Sequence, residues 1–136
     1  GKSYARLVKE KGEENILALE SDRGGFSPRG FSVDGTTKQL ETIQRFEALF
    51  RPYNLHLFNK GYGGVDIGPL KDGKICLIGL VPDSQRYFDF HHASSDIWEN
   101  VNERELELGA AATASLIYLI DKYGFEQGLK RATFKK

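Results

Sequence analysis

The chain has 136 residues, and its 19 basic and 19 acidic residues balance to a net charge of zero. This length suits one domain, and the apolar share, with nine Phe and six Tyr, is that of an ordinary globular core. A neutral chain without a basic stripe argues against a nucleic-acid partner, and no apolar run has the length that crosses a membrane. The lone Cys76 lies in an apolar run, which indicates a buried structural thiol.

The first third of the chain opens with a helix and a strand. Residues 4–10 have the pattern of the end of an amphipathic helix, with Gly12 near its stop. Residues 15–19 form a short apolar run, which predicts a buried strand that ends at residues 20–22. Residues 23–30 are rich in turn formers, and we expect them to form a loop.

The middle of the chain contains a second helix, two strands and a glycine-rich turn. Residues 37–50 have apolar side chains at helical spacing, and Pro52 closes this helix. Residues 55–58 and 75–80 are predicted strands. Residues 61–70 contain four glycines, but neither a P-loop nor a dinucleotide-binding pattern follows. The glycines therefore indicate a close approach of the backbone to a neighbouring site.

The last third contains an aromatic segment and a long helix. Residues 87–90 are mostly aromatic and lead directly into His91. Apolar residues at helical spacing predict a helix over residues 102–122, which Gly124 terminates. Residues 125–136 form a short basic tail.

Helices that alternate with short apolar strands predict an α/β fold. In open α/β sheets the chemistry gathers on loops beyond the carboxyl ends of the strands. Asp22, the glycine-rich turn and the pair His91 and His92 each follow a predicted strand or apolar run. We therefore expect these segments to converge on one edge of the sheet.

Carboxylate and imidazole groups at strand ends are common parts of a metal site. Asp22 and His92 are the two candidate ligands. Considered alone, Asp22 could instead order a turn or cap a helix, and His92 could be an ordinary hydrogen-bonded histidine. Asp96 either caps the following segment or orients an imidazole. His56 has no acidic neighbour and is interpreted as structural.

Taken together, four stretches resemble the C-terminal half of the co-catalytic two-zinc exopeptidases. This family includes bacterial leucyl aminopeptidases, plasma glutamate carboxypeptidase and, more distantly, glutaminyl cyclase. The order and spacing of the stretches carry the resemblance, which runs from about Tyr4 to Tyr123. The stretches are residues 18–26 (ALESDRGGF), 64–70 (GVDIGPL), 81–82 (VP) and 87–96 (YFDFHHASSD).

The resemblance implies a role for each candidate residue. Asp22 would bind one zinc ion and His92 the other. His91 would be catalytic, because the residue before the ligand histidine, often Tyr in relatives, helps to stabilise the tetrahedral intermediate. Supporting or pocket positions are implied for Asp66, Asp96 and Glu20.

The resemblance also implies an architecture and a function. The fold would be a mixed, mostly parallel-centred sheet sandwiched by helices, with residues 1–136 as a single partial domain. The family's first ligand histidine, its bridging aspartate and its pair of glutamates have no match here, and we expect them upstream of Gly1. The complete protein would be a zinc-dependent exopeptidase with two zinc ions that acts on peptides outside the cytoplasm. The chain alone would bind zinc weakly, lack activity and associate with copies of itself through uncovered apolar surface.

Two alternatives stay open at this point. A receptor-type domain of the same fold would bind a partner without catalysis, although such a domain has no need of Asp22, His92 and Asp96. A glutaminyl cyclase would cyclise N-terminal glutamine instead of hydrolysing peptides. The upstream sequence would test the first alternative, and the zinc stoichiometry of the longer protein would test the second.

Overall fold

A computed structural model describes residues 1–125. Within them the chain forms a sheet of four strands, β1 (Leu17–Glu20), β2 (Pro28–Asp34), β3 (Leu57–Lys60) and β4 (Cys76–Pro82), in the order β1-β4-β2-β3. Strand β1 runs parallel to β4, and β2 runs parallel to β3. The central pair, β2 and β4, is antiparallel. This mixed sheet with flanking helices confirms the predicted α/β fold. The helices are α1 (Lys2–Lys11), α2 (Thr37–Phe50), α3 (Tyr87–Phe90) and α4 (Glu103–Tyr123).

Helices α2 and α4 cover one face of the sheet with a continuous apolar core. Alternate residues of the strands point into this core because successive side chains of a strand face opposite sides. Three phenylalanine rings pack edge-on or tilted in it, with centroids 5.5 to 5.9 Å apart. Cys76 is fully buried here, as the sequence indicated. The fully buried members of the core include Phe31, Val33, Ile43, Phe46, Ile78 and Leu116.

The other face is closed by α1 and by the glycine-rich loop, residues 61–67. A smaller apolar cluster forms around Leu70, Ile75 and Leu77. Beside it, the loop crosses a row of aligned residues from three strands, Ser32, Gly79 and Glu20. The Ser32 hydroxyl donates to the carbonyl of the loop residue Tyr62 at 2.7 Å, and a methyl group on Gly79 would lie only 2.6 Å from the carbonyl oxygen of Gly63.

Residue pairs at the helix termini explain why two of the predicted helices begin where expected. At the start of α2, the Thr36 hydroxyl accepts from the Gln39 backbone and the Gln39 side chain accepts from the Thr36 backbone. The Asn102 side chain caps α4 by accepting from the backbone of Glu105 at 3.0 Å. Helix α1 ends at Gly12, whose left-handed φ of 66° suits glycine.

The predicted loop over residues 23–30 is wrong at its end, because β2 begins at Pro28. Pro28 occupies the first position of the strand, where a missing N–H is tolerated. Gly30 has a φ of 150° beside a register shift, and a side chain there would collide with the backbone of Leu57. Thus a proline and a glycine, which favour turns in sequence, here mark an irregular strand start.

Apart from α3, for which no element was predicted, the remaining elements lie within a few residues of their predicted places. The strand predicted over residues 55–58 is β3, and the strand predicted over residues 75–80 is β4. Apart from Phe125, the predicted basic tail lies outside the described residues. Among the described helices, none combines the length and apolar character of a bilayer span.

Candidate functional site

A cavity of about 460 Å³ opens at the edge of the sheet where β1 and β4 end. Because these strands are parallel, their carboxyl ends deliver the loop after Glu20 and the segment after Pro82 to the same edge. The expected convergence of Asp22 with the histidine pair is therefore found: Asp22, His91, His92 and Asp96 all line the cavity.

Tight turns shape the loop that carries Asp22. Gly24 has a φ of 84°, and a side chain there would also collide with the ring of Phe26 at 2.6 Å. The Phe26 ring lies 5.8 Å from the ring of Phe90, which joins this loop to the segment before the histidines. The loop is thus fixed on both sides of the cavity mouth while the Asp22 carboxylate stays exposed.

The histidine loop is held by hydrogen bonds of its own backbone. The N–H of Ala93 donates to the carbonyl of Phe90 at 2.9 Å, and the Ser95 hydroxyl donates to the carbonyl of Asp89 at 2.7 Å. Between these contacts His92 takes a left-handed φ of 56°, which is uncommon for any residue but glycine. Such a conformation costs about 1–3 kcal/mol and tends to occur at functional sites.

His91 is positioned by stacking. Its ring lies 4.6 Å from the ring of Tyr87 at an interplanar angle of 20°, and 4.0 Å from the ring of His92. Tyr87 belongs to α3, one turn before His91, so the helix itself sets this spacing.

Glu20 and Asp66 lie away from this cavity. The Glu20 carboxylate accepts hydrogen bonds from the backbone N–H groups of Val65, Asp66 and Ile67 at 3.1, 2.9 and 3.0 Å. Glu20 therefore anchors the glycine-rich loop, and Asp66 contributes its backbone to that anchor while its side chain is exposed. The loop starts at the opposite edge of the sheet, where β3 ends, and crosses the sheet to Glu20, the last residue of β1, but its residues do not line the cavity that Asp22 and His92 share.

The cavity is lined by donor atoms of the chemical types that zinc binds. Carboxylate oxygen and imidazole nitrogen are both common zinc ligands, and Asp22 and His92 supply one of each. These two side chains are fewer than the ligands that a closed zinc site needs. Within residues 1–125, no three His, Cys, Asp or Glu side chains come together in a group that could hold a metal ion. The described residues therefore offer two donors of the kinds that zinc binds, but no complete metal site.

Glu105 is a cavity residue that the sequence analysis missed. Its carboxylate accepts from the Ser27 hydroxyl at 2.7 Å and from Arg86 Nη2 at 2.6 and 2.8 Å. Partial burial pushes the pKa of the Glu105 carboxyl up, but the hydrogen bonds from Ser27 and Arg86 outweigh it, so the pKa lies below its usual value. The sequence signal was available: Glu105 stands three residues after the cap Asn102, in the first turn of α4.

Comparison with known proteins finds one set of curated relatives. Carboxypeptidase Q from Bos taurus is 27% identical over 117 residues, and the Homo sapiens and Mus musculus proteins of that name are 26% and 27% identical. Each match covers 86% of this chain, which spans about a quarter of the length of these relatives. No protein-family model and no solved structure matches the chain. The similarity confirms the resemblance drawn from the four stretches.

Proposed function

We propose, from the similarity to a segment of carboxypeptidase Q, that this chain is the C-terminal half of the catalytic domain of a zinc-dependent exopeptidase that acts outside the cytoplasm. The observation that carries the proposal is the single cavity that Asp22 and His92 share, although 69 residues separate them and they follow different strands. A chance pair of a carboxylate and an imidazole has no reason to meet at the carboxyl edge of the sheet.

Each residue of the cavity has a distinct task in this proposal. Asp22 and His92 each bind one of two zinc ions, and the other ligands and the general base come from outside this chain. The chemistry that zinc supplies when bound is polarisation of the scissile carbonyl and activation of water. His91, held against Tyr87, donates a hydrogen bond to the oxygen on which negative charge develops. Asp96 supports the loop that presents His92.

The left-handed backbone of His92 fits this assignment. A histidine that served only to fill space would be replaced at little cost by glycine or asparagine, which tolerate a φ of 56° better. A strained residue that faces a cavity is better explained by what its side chain binds.

Zinc titration of the chain followed by NMR tests the ligand assignment. We expect weak binding, with Zn²⁺ perturbing the side chains of Asp22 and His92, because two ligands do not make a closed site. Asp22→Asn and His92→Asn should each weaken binding about tenfold or more. Asp22→Asn keeps the side-chain shape, and asparagine at position 92 tolerates the left-handed backbone found there. Asp121→Asn, at an exposed position of α4, is the matched control and should bind as the parent does. Zinc binding that persists unchanged in the Asp22→Asn/His92→Asn double variant would refute the assignment.

A hydrolysis assay tests the other half of the proposal. The chain alone should not hydrolyse peptides or aminoacyl anilides, because in this proposal the general base comes from outside this chain. The longer protein should hydrolyse peptides and lose this activity with either Asp22→Asn or His92→Asn. A longer protein that binds peptides without cleaving them would favour the receptor-type alternative instead.

A further inference from the structure

The carboxylate of Glu105 joins the two segments that carry the candidate ligands. Its Oε1 accepts from the Ser27 hydroxyl at 2.7 Å and from Arg86 Nη2 at 2.8 Å, and its Oε2 accepts from the same Arg86 nitrogen at 2.6 Å. Ser27 ends the loop that follows β1 and carries Asp22, whereas Arg86 directly precedes α3, which leads into the histidine pair. One carboxylate oxygen therefore binds both segments at once.

The same two segments also meet at the ring of Phe26. The Arg86 guanidinium lies 5.0 Å from the centroid of this ring, and the centroid of the Phe90 ring lies 5.8 Å from it. Phe26 directly precedes Ser27, so these contacts and the hydrogen bonds of Glu105 act on the same part of the loop. Arg86 is thus held between an aromatic ring and a carboxylate.

Helix α4 gives Glu105 a fixed position. Leu116 and Ile120 bury one face of α4 in the apolar core, and the cap Asn102 accepts from the backbone N–H of Glu105 at 3.0 Å. The side chain of Glu105 is only 19% exposed, so its ion pair with Arg86 is less screened by solvent than a pair on the open surface. The two segments are therefore joined to a rigid element.

The start of α4 does not itself require a carboxylate at position 105. Asn102 already caps the helix, and Glu103 places a negative charge in the same first turn, where it interacts favourably with the helix dipole. Glu103 is exposed, whereas the carboxylate of Glu105 accepts from Ser27 and Arg86. The charge of Glu105 is therefore better explained by the segments that it joins.

We propose that Glu105 is a positioning residue for the two candidate ligands. By holding both segments at once, it fixes where Asp22 lies relative to His92. Metal ligands must be held within about 0.5 Å of their binding geometry, and partners outside the ligand shell commonly change metal affinity about 10- to 100-fold. Glu105 is not itself a third ligand, because no three His, Cys, Asp or Glu side chains within residues 1–125 form a group that could hold a metal ion. The effect on zinc rests on the proposed function, whereas the joining of the segments does not.

NMR of the 136-residue chain with a chelator present tests the joining of the segments without metal. The readout is the nuclear Overhauser effect (NOE) between the ring protons of Phe26 and Phe90, which falls steeply as the rings separate. The NOE between the core rings of Phe31 and Phe58 is the internal reference, because these centroids are also 5.8 Å apart. Glu105→Ala should reduce the first NOE about twofold or more, since both segments lose a charged hydrogen-bond partner, and leave the second unchanged.

Two further variants show whether the effect belongs to the ion pair. Arg86→Gln removes its other half and should reduce the NOE between Phe26 and Phe90 in the same way. The Arg86 side chain is 48% exposed, so this variant keeps the test valid if Glu105→Ala does not fold. Glu103→Ala is the matched control, because it removes an exposed carboxylate from the same turn of α4 and should leave both NOEs unchanged.

Zinc titration of the same variants tests the consequence for the ligands. Glu105→Ala and Arg86→Gln should each weaken the binding of Zn²⁺ about tenfold, because the two candidate ligands no longer keep a fixed separation. Arg86→Gln also distinguishes this role from that of a direct zinc ligand, since release of the Glu105 carboxylate would then strengthen zinc binding. Glu103→Ala should bind zinc as the parent does.

The inference is overturned if both NOEs persist in Glu105→Ala and Arg86→Gln, if both NOEs fall together, or if Glu103→Ala has the same effect. Zinc binding at parental strength or above in Arg86→Gln would also overturn it. A parent chain that does not bind zinc, combined with the expected NOEs, would refute the proposed function and leave the joining of the segments by Glu105 intact. Zinc binding at Asp22 and His92 with unchanged NOEs would refute the positioning role alone.

Discussion

Phe31 and Ser32 are neighbours on β2, and their side chains enter the two faces of the sheet. Phe31 is fully buried among the rings of Phe50 and Phe58, on the face that α2 and α4 cover. Ser32 points to the other face, where it binds the backbone of the glycine-rich loop. The first face is closed by large apolar side chains, whereas the part of the second face under the glycine-rich loop is closed by hydrogen bonds and by the absence of a side chain at Gly79.

The two modes of closure have different energetic signatures. Burial of apolar volume is worth several kcal/mol per large side chain and has no directional requirement. A loop held by hydrogen bonds gains less net free energy, since its groups also bind water in the unfolded chain, but it depends on orientation. We therefore expect substitutions on the first face to change global stability, and substitutions on the second to change loop order first.

The largest effect should come from Phe31→Ala. Loss of a fully buried ring leaves a cavity, and the free energy of unfolding should fall by about 3–5 kcal/mol. Urea denaturation measures the change. Phe88→Ala is the matched control, because the Phe88 ring is 83% exposed and its loss should change stability by less than about 0.5 kcal/mol. Similar losses in the two variants would contradict the described core.

Glu20→Gln should have a smaller and more local effect. Glutamine keeps one oxygen acceptor but lacks the charge that strengthens three backbone hydrogen bonds, so the free energy of unfolding should fall by about 1–2 kcal/mol. Amide hydrogen exchange should accelerate at Val65, Asp66 and Ile67 before it does in β4. The control Glu14→Gln changes an exposed carboxylate of the segment before β1. Uniform acceleration across the sheet would show that the loop is not a separate unit.

Cys76 provides a pH-dependent test of the apolar face. Burial, aided by the charge of Asp34, raises the pKa of its thiol to about 12. The unfolded thiol ionises at a pKa of about 8.5, so above that pH the unfolded chain loses a proton that the folded chain retains. The free energy of unfolding should therefore fall by about 1.4 kcal/mol per pH unit above about pH 9, and no such loss arises below about pH 8.

The variant Cys76→Ala isolates this contribution because all other ionisable groups are shared. The parent should lose stability relative to Cys76→Ala as the pH rises from 9 to 10.5, which denaturation at each pH measures. Parallel pH profiles for the two proteins would mean that the thiol is accessible to water in the folded state.

The three longer helices were predicted more accurately from the sequence than the strands, for reasons visible in individual residues, whereas the short helix α3 was not predicted. Residues 37–50 match α2 because the capping pair Thr36 and Gln39 and the apolar spacing agree. The start of β2 was missed because Pro28 and Gly30 favour turns, and the alternation of Phe31, Ser32 and Val33 was the neglected signal.

The candidate site was predicted in part. The positions of Asp22 and His92 after strands sufficed to expect a shared edge, and the structure brings them to one cavity. Strand order is decided by packing across the sheet, so the sequence did not reveal that β3 runs toward the opposite edge.

The row formed by Ser32, Gly79 and Glu20 has a consequence for folding fidelity. The groove for the glycine-rich loop exists only when β1, β4 and β2 are aligned so that these three residues lie side by side. A slip of β4 by one position would turn Gly79 away and bring the bulk of Ile78 or Leu80 into the path of the loop. The loop can therefore dock on only one alignment of these strands, although they are distant along the chain.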